Sequence, residues 1–289
     1  MDGDLPLKAV HFKSTGTVLD RILAQVQIRL IEDQKKKSME DLRRQLVYQP
    51  KNFRDRLQKP STRFFSVIAE IKYFSPSLAQ MGQSLNEGRL EKWPPTRVAE
   101  SYLRAEATAI SILTERDFFR GSLSYLAQVR QAFPDSYLLM KDFILSPYQI
   151  MQGRVAGADS ILLIMAALEE GQASELLLCA KEQGVCPLVE VHNESELEMA
   201  LKIGADLIGI NNRNLHTLEI SIQTSKDLVG LIPDGVAKVS ESGLNSADAL
   251  AELSSVGFDA FLMGHHLMNA EDPGVELSQL VEKRNSLEN

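Results

Sequence analysis

The chain has 289 residues, 44% of them hydrophobic and 24% charged, which excludes a disordered, collagen-like or coiled-coil protein and leaves two average domains or one large α/β barrel. Thirty-one Lys plus Arg against 39 Asp plus Glu give a formal charge of −8, so no basic surplus favours nucleic acid or an anionic membrane surface. A small anionic substrate stays compatible with that charge, because a few local cations and backbone amides outweigh a distant acidic surface.

Residues 1–16 carry no pattern and read as a loose arm; Asp2 and Asp4, with no apolar run behind them, argue against a secretory signal. Val18 to Leu46 reads as one or two amphipathic helices, because Leu19, Ile22, Leu23, Val26 and Leu30 recur at three- and four-residue spacings before the polar stretch Gln34–Lys37. The basic run Lys35–Lys37 reads as a solvated helix face rather than an anion patch.

From Ser66 a rhythm of eight units begins. The predicted strands are Ser66–Phe74, Ala109–Thr114, Tyr137–Phe143, Ser160–Ala166, Pro187–His192, Leu207–Asn211, Ala237–Glu241 and Ala260–Gly264. Helical patterns follow them at Thr96–Glu106, Gly121–Phe133, Tyr148–Ala156, Ser174–Gln183, Glu194–Ile203, Thr224–Leu231, Ser246–Val256 and Gly274–Lys283. Gly157, Gly184, Gly204 and Gly257 close four of the helices, as αβ loops often do. Strands alternating with helices mean βαβ units and a parallel sheet, and eight of them fit a (β/α)8 barrel better than a doubly wound sheet. The expected organisation is an arm and helical extension over residues 1–60, packed on a catalytic barrel over residues 61–289.

The longest apolar run, Ile161–Leu168, is far short of the roughly 18 residues of a membrane span. Cys179 and Cys186 are too few for a disulfide framework and read as reduced thiols of a cytoplasmic protein, monomeric or homodimeric. No Cys/His spacing resembles a metal site, and the adjacent His265 and His266, if on a strand, face opposite ways and cannot hold one ion together, so no metal is expected.

In a barrel of this kind the chemistry sits at the C-terminal ends of the strands, where the βα loops converge. Glu70 and Lys72 stand two apart on the first strand and so share a face. Lys141 ends strand three, Glu190 ends strand five, Asn211 follows Ile208-Gly209-Ile210, and Glu241-Ser242-Gly243 close strand seven. Charges set in apolar strands are expensive unless paired, so these side chains read either as an ion-pair network or as a reaction centre at the mouth. Two lysines and two glutamates suit chemistry at a carbonyl: burial and a second cation lower an ammonium from about 10.4 towards a useful acid, and a carboxylate removes a proton elsewhere. A Schiff-base lysine is the competing use. Asn211 with Asn212 and Arg213 reads equally as a turn; Ser242, Gly243 and Gly264 either relieve backbone crowding or sit where barrels often bind phosphate, and Ser75 either makes a plain turn or offers a hydroxyl to the same anion.

The segments Ile68-Ala69-Glu70-Ile71-Lys72 with Ser75-Pro76-Ser77, Ile110 to Glu115, Lys141-Asp142-Phe143, Leu188 to His192, Ile208 to Arg213 and Glu241-Ser242-Gly243 together resemble the indole-3-glycerol phosphate synthase family, over roughly residues 18–273. The resemblance implies a (β/α)8 barrel that, without a cofactor, closes a pyrrole ring on an anthranilate joined to a deoxyribulose phosphate, losing carbon dioxide and water. It implies Lys141 as general acid, Glu190 as general base, Lys72 as the second lysine and Glu70 as the carboxylate that tunes it. Asn211, Arg213, Glu241 and Ser242 then contact substrate, and Ser75, Gly243, Gly264 and His265 hold phosphate. The chain departs from the family in Leu78-Ala79-Gln80-Met81-Gly82 after Ser77, in a longer first loop, in Tyr73-Phe74 and in Gly264-His265-His266. The longer first loop and the pair His265-His266 favour an alternative, a paralogous cyclase of the scytonemin type acting on a phosphate-free aromatic keto acid, whereas Ser75, Gly243 and Gly264 favour retained phosphate binding and the synthase as the leading reading. A barrel kept only as a binding scaffold would have lost Lys72, Lys141 or Glu190, and all three are present.

Overall fold

The computed structural model describes residues 11–58, 65–76 and 88–282. Eight parallel strands close into a barrel in simple chain order, β1 pairing with β8. They are β1 (Ser66–Ile71), β2 (Ala109–Leu113), β3 (Leu138–Lys141), β4 (Ser160–Ile164), β5 (Cys186–Val191), β6 (Leu207–Asn211), β7 (Ala237–Glu241) and β8 (Ala260–Met263). Buried on both faces, they read as near-continuous apolar runs, as parallel strands under helices should. The predicted first strand runs three residues too far: β1 ends at Ile71, which pairs with Ile112, and Lys72 already lies in the loop.

Among the described residues three helices precede the barrel: α1 (Val18–Lys36), α2 (Met39–Arg43) and α3 (Phe53–Gln58). The single pattern over residues 18–46 breaks because Lys37 turns extended and Ser38 caps α2, exchanging hydrogen bonds with Asp41. The short α3 was not predicted; Phe53 and Leu57 are its only inward anchors, too few for a periodic signal. Residues 11–16 are not a loose arm. Lys13 N–H donates to the Ala167 carbonyl at 3.0 Å, and Asp20 accepts from Thr15 N–H at 2.7 Å and Gly16 N–H at 3.0 Å.

Around the strands lie α4 (Arg89–Lys92), α5 (Pro95–Arg104), α6 (Leu123–Ala132), α7 (Pro147–Ala156), α8 (Glu170–Glu182), α9 (Glu194–Lys202), α10 (Gln223–Val229), α11 (Ala247–Ser255), α12 (His265–Asn269) and α13 (Pro273–Glu282). Gly157 closes α7 at φ +94°, and a Cβ there would collide with the Arg130 side chain, so only glycine fits. One apolar cluster joins α1, α3, the strands and the helices outside them. No helix among the described residues is long and apolar enough to cross a membrane. The segment from Ser77 through Leu78–Gly82, singled out above for its length, lies outside the described residues, as do residues 1–10.

Candidate active site

Four charged side chains come from the four odd strands: Glu70 from β1, Lys141 from β3, Glu190 from β5 and Glu241 from β7. Alternate strands supply each layer of side chains inside such a barrel, which explains why these meet. Lys141 Nζ donates to Glu190 Oε2 at 2.9 Å and to Glu241 Oε2 at 2.7 Å. Lys72, just beyond β1, returns to donate to Glu70 Oε1 at 2.5 Å. Both clusters line one cavity of about 520 Å³ at the C-terminal mouth.

The same cavity gathers every other sequence-predicted site residue: Ser75, Asn211, Arg213, Ser242, Gly243, Gly264 and His265. Asn211 combines its two predicted readings, since it lines the cavity while its Oδ1 accepts from Arg213 N–H at 3.0 Å to shape the turn. Arg213 is held by a hydrogen bond to the Leu218 carbonyl at 3.1 Å and stands in the field of Glu70. Ser242 and Gly243 take consecutive left-handed conformations, at φ +69° and +78°.

His265 is not on a strand. β8 ends at Met263, and His265 opens the short α12, where its Nε2 meets Asn269 Nδ2 at 2.8 Å; His266 pairs separately with Glu276 at 2.8 Å. Burial lowers the pKa of His265, and the nearby cations Lys72 and Arg213 lower it further. Tyr73 and Phe74, expected at the mouth, turn away. Tyr73 donates to the Trp93 carbonyl at 2.7 Å, and Phe74 stacks under Arg120 at 4.4 Å.

The electrostatics correct one expectation. Lys141 was expected to be lowered by burial and a second cation, but the attraction of Glu190, Glu241 and Glu70 outweighs burial and raises it. Glu190 and Glu241 thus hold Lys141 as an ammonium. The two carboxylates are driven apart: burial raises both, but Lys141 and His192 pull Glu190 far below the usual range, while burial wins at Glu241. The same cavity thus holds two carboxylates in opposite electrostatic environments. Beside Lys141, burial also pushes Asp142 up to about 7, against hydrogen bonds from Thr114 and the Phe143 N–H.

Three contributors were not read from the sequence. Val18, Leu19 and Ile22 of α1 line the cavity together with Phe119, Phe143 and Leu162 and make part of its wall apolar. Asp142 sat inside a quoted motif without a role. His192 lies two residues after Glu190, one residue beyond the end of β5, and Asn193 caps α9 so that Glu196 comes within reach of it. That spacing was legible; the partner across the loop was not.

Comparison with known proteins bears on what this mouth does. The model of the family described as indole-3-glycerol phosphate synthase matches residues 19–280. The chain is 41% identical to the indole-3-glycerol phosphate synthase of Sulfurimonas denitrificans, over 91% of this chain and 98% of that one. It is 36% identical to the protein of the same name from Salinibacter ruber, over 91% and 95% of the two chains. Among solved structures, 3-hexulose-6-phosphate synthase from Salmonella typhimurium shares the fold at a TM-score of 0.58 and 13% identity, covering 76% of this chain and 99% of that one.

Proposed function

The chain belongs to the indole-3-glycerol phosphate synthase family, and from that premise we propose how the residues at its mouth divide the work. The reaction is the decarboxylating, dehydrating closure of 1-(2-carboxyphenylamino)-1-deoxyribulose 5-phosphate to indole-3-glycerol phosphate, which makes the protein a cyclising carbon–carbon lyase of tryptophan biosynthesis. The names of the relatives favour this phosphorylated substrate over the phosphate-free keto acid considered above.

Lys141 is the general acid of ring closure. The anthranilate ring carbon that bears the carboxylate attacks the ribulose carbonyl, and the alkoxide that develops takes a proton from the Lys141 ammonium. Carbon dioxide then leaves and restores the aromatic ring. Lys72 holds the substrate carboxylate and afterwards protonates the departing hydroxyl, while Glu190 accepts the proton lost on the other side of the bond that becomes double. Glu70 fixes Lys72 at 2.5 Å. Glu241 shares Lys141 with Glu190 and, with Asn211, Arg213 and Ser242, frames the substrate. Ser75, Gly243, Gly264 and His265 take the phosphate, within reach of the cationic field of Lys72 and Arg213.

The observation that carries this reading is a lysine retained as ammonium between two buried carboxylates, facing a cavity that a second lysine–glutamate pair also lines. Incubation with the carboxyphenylamino-deoxyribulose phosphate, followed by indole fluorescence, should show turnover. Lys141→Met should remove it by a factor of about 10² to 10⁴ with the circular dichroism unchanged. Turnover retained in that variant would take the acid role from Lys141.

A further inference from the structure

His192 is almost wholly buried, with 8% of its side chain exposed, and it lies between two carboxylates. Its Nδ1 meets Glu196 Oε2 at 3.0 Å, and its backbone N–H donates to the same oxygen at 2.9 Å. Its Nε2 faces Glu190 Oε1 at 3.3 Å, an ion-pair approach that lacks the alignment of a hydrogen bond and leaves this buried nitrogen without a hydrogen-bond partner. Glu190 lines the reaction cavity and His192 does not; His192 and Glu196 line a second cavity, of about 310 Å³, that shares Asn211, Arg213 and Leu215 with the first. The imidazole therefore backs Glu190 from the side away from the substrate.

We propose that His192, as an imidazolium anchored by Glu196, is a positioning residue that keeps Glu190 ionised and aimed into the reaction cavity when Lys141 gives up its proton. The inference rests on the reading of Glu190 as base and Lys141 as acid. Lys141 is the nearer cation on Glu190, and once it acts as an acid its attraction is gone. A carboxylate as buried as Glu190 would then bind a proton and cease to be a base. The cation on its other face does not take part in ring closure and persists through the cycle. Burial alone would lower His192, but the close approach of the Glu190 and Glu196 carboxylates to its two ring nitrogens overcomes it and raises the ring to about 10. The other titratable or charged groups that face the second cavity are Lys13, Arg213 and His216; beyond Glu190 stand Lys141 and Glu241.

Replacing His192 with Asn removes one cation from beside Glu190, so the Glu190 pKa rises. An opposite charge at this distance is worth about one to three pH units, and the acid limb of the kcat profile should move up by that amount. Along the displaced acid limb kcat should fall by up to about tenfold for each pH unit the limb moves, with KM changed less than threefold, because the substrate does not touch the imidazole. Glu196→Gln should move the limb in the same direction by less. An unmoved acid limb overturns the proposal, including the case in which kcat falls without a shift, since that outcome belongs to a packing role.

A second measurement needs no turnover. The ring carbon resonance of His192 in the wild-type protein should show the protonated form up to about pH 8.5, and in Glu190→Gln the ring should titrate at lower pH. A wild-type ring that titrates near its ordinary value of about 6.5 overturns the proposal whatever the activity. Absence of wild-type turnover, by contrast, sinks the reading of the reaction while the resonance still reports whether Glu190 and Glu196 hold the imidazolium.

Discussion

Two glycines decide where the buried carboxylates can lie. A Cβ on Gly209, on β6, would land on Glu241 Oε1, and a Cβ on Gly264, after β8, would press on both Oε1 and Cβ of Glu70. Neither position has a left-handed φ, so the requirement is space and not backbone freedom. The even strands thus withdraw their side chains where the odd strands bring in charge. Glu241 is the far end of a side chain but cannot swing freely, because it is 1% exposed and bound to Lys141. Gly209→Ala should therefore displace the carboxylate that shares Lys141 and lower kcat about a hundredfold, as misplacement by roughly an ångström does elsewhere. Thermal melting should move far less than kcat. A variant with wild-type kcat would show that Glu241 is not needed where it stands.

At the scale of elements, Asp159 ties the segment between α2 and α3 to the barrel floor. Asp159 Oδ1 accepts from the Tyr48 hydroxyl at 2.5 Å and from Lys51 N–H at 2.8 Å, both in the segment between α2 and α3. Its Oδ2 accepts from Arg130 Nη2 at 2.5 Å and from Leu138 N–H at 2.8 Å, which ties in α6 and the start of β3. Arg130 also bonds to the carbonyls of Gly157 and Ser136. Removing one partner from a buried pair leaves the other charge and several donors unmet, so Asp159→Ala should lower unfolding free energy by about 3–5 kcal/mol. Urea unfolding measures it, and a change under 1 kcal/mol would mean that water replaces the carboxylate. The residues sit at the end opposite the reaction cavity, so kcat should hold wherever the variant is folded.

For the whole molecule, the predicted division at residue 60 does not coincide with a gap in the core. Leu19, Ile22, Leu23 and Val26 of α1 and Phe53 and Leu57 of α3 belong to the same apolar cluster as the strands. We propose that residues 1–60 are an extension of the barrel and not an independently folding domain. Shared burial couples their melting, so far-UV circular dichroism and the fluorescence of the single tryptophan, Trp93, should report one coincident transition. Trp93 sits between α4 and α5, remote in sequence from α1, and an earlier loss of helical signal would separate the extension from the barrel. The α1 residues Val18, Leu19 and Ile22 also line the reaction cavity, so such separation would reach the substrate site as well.

Much of this was legible in one dimension. The eight-fold alternation of β-branched runs and helical patterns determined the barrel, because a parallel strand must be apolar on both faces and must return through a helix. The charges of Glu70, Lys141, Glu190 and Glu241 stood out because each interrupts such a run near the same end. Strand limits were less legible: β1 stops at Ile71 only because β2 stops pairing there, although Tyr73 and Phe74 favour a strand by type. What the tertiary structure alone decided is which charges face which. Lys141 falls between Glu190 and Glu241, on strands far apart in the chain, and that geometry reversed the expected direction of its pKa. The loop after β5 folds Glu196 back to clasp His192 behind Glu190. Periodicity is a local property of the backbone, whereas the field at a buried charge is a sum over neighbours that only the closed barrel assembles.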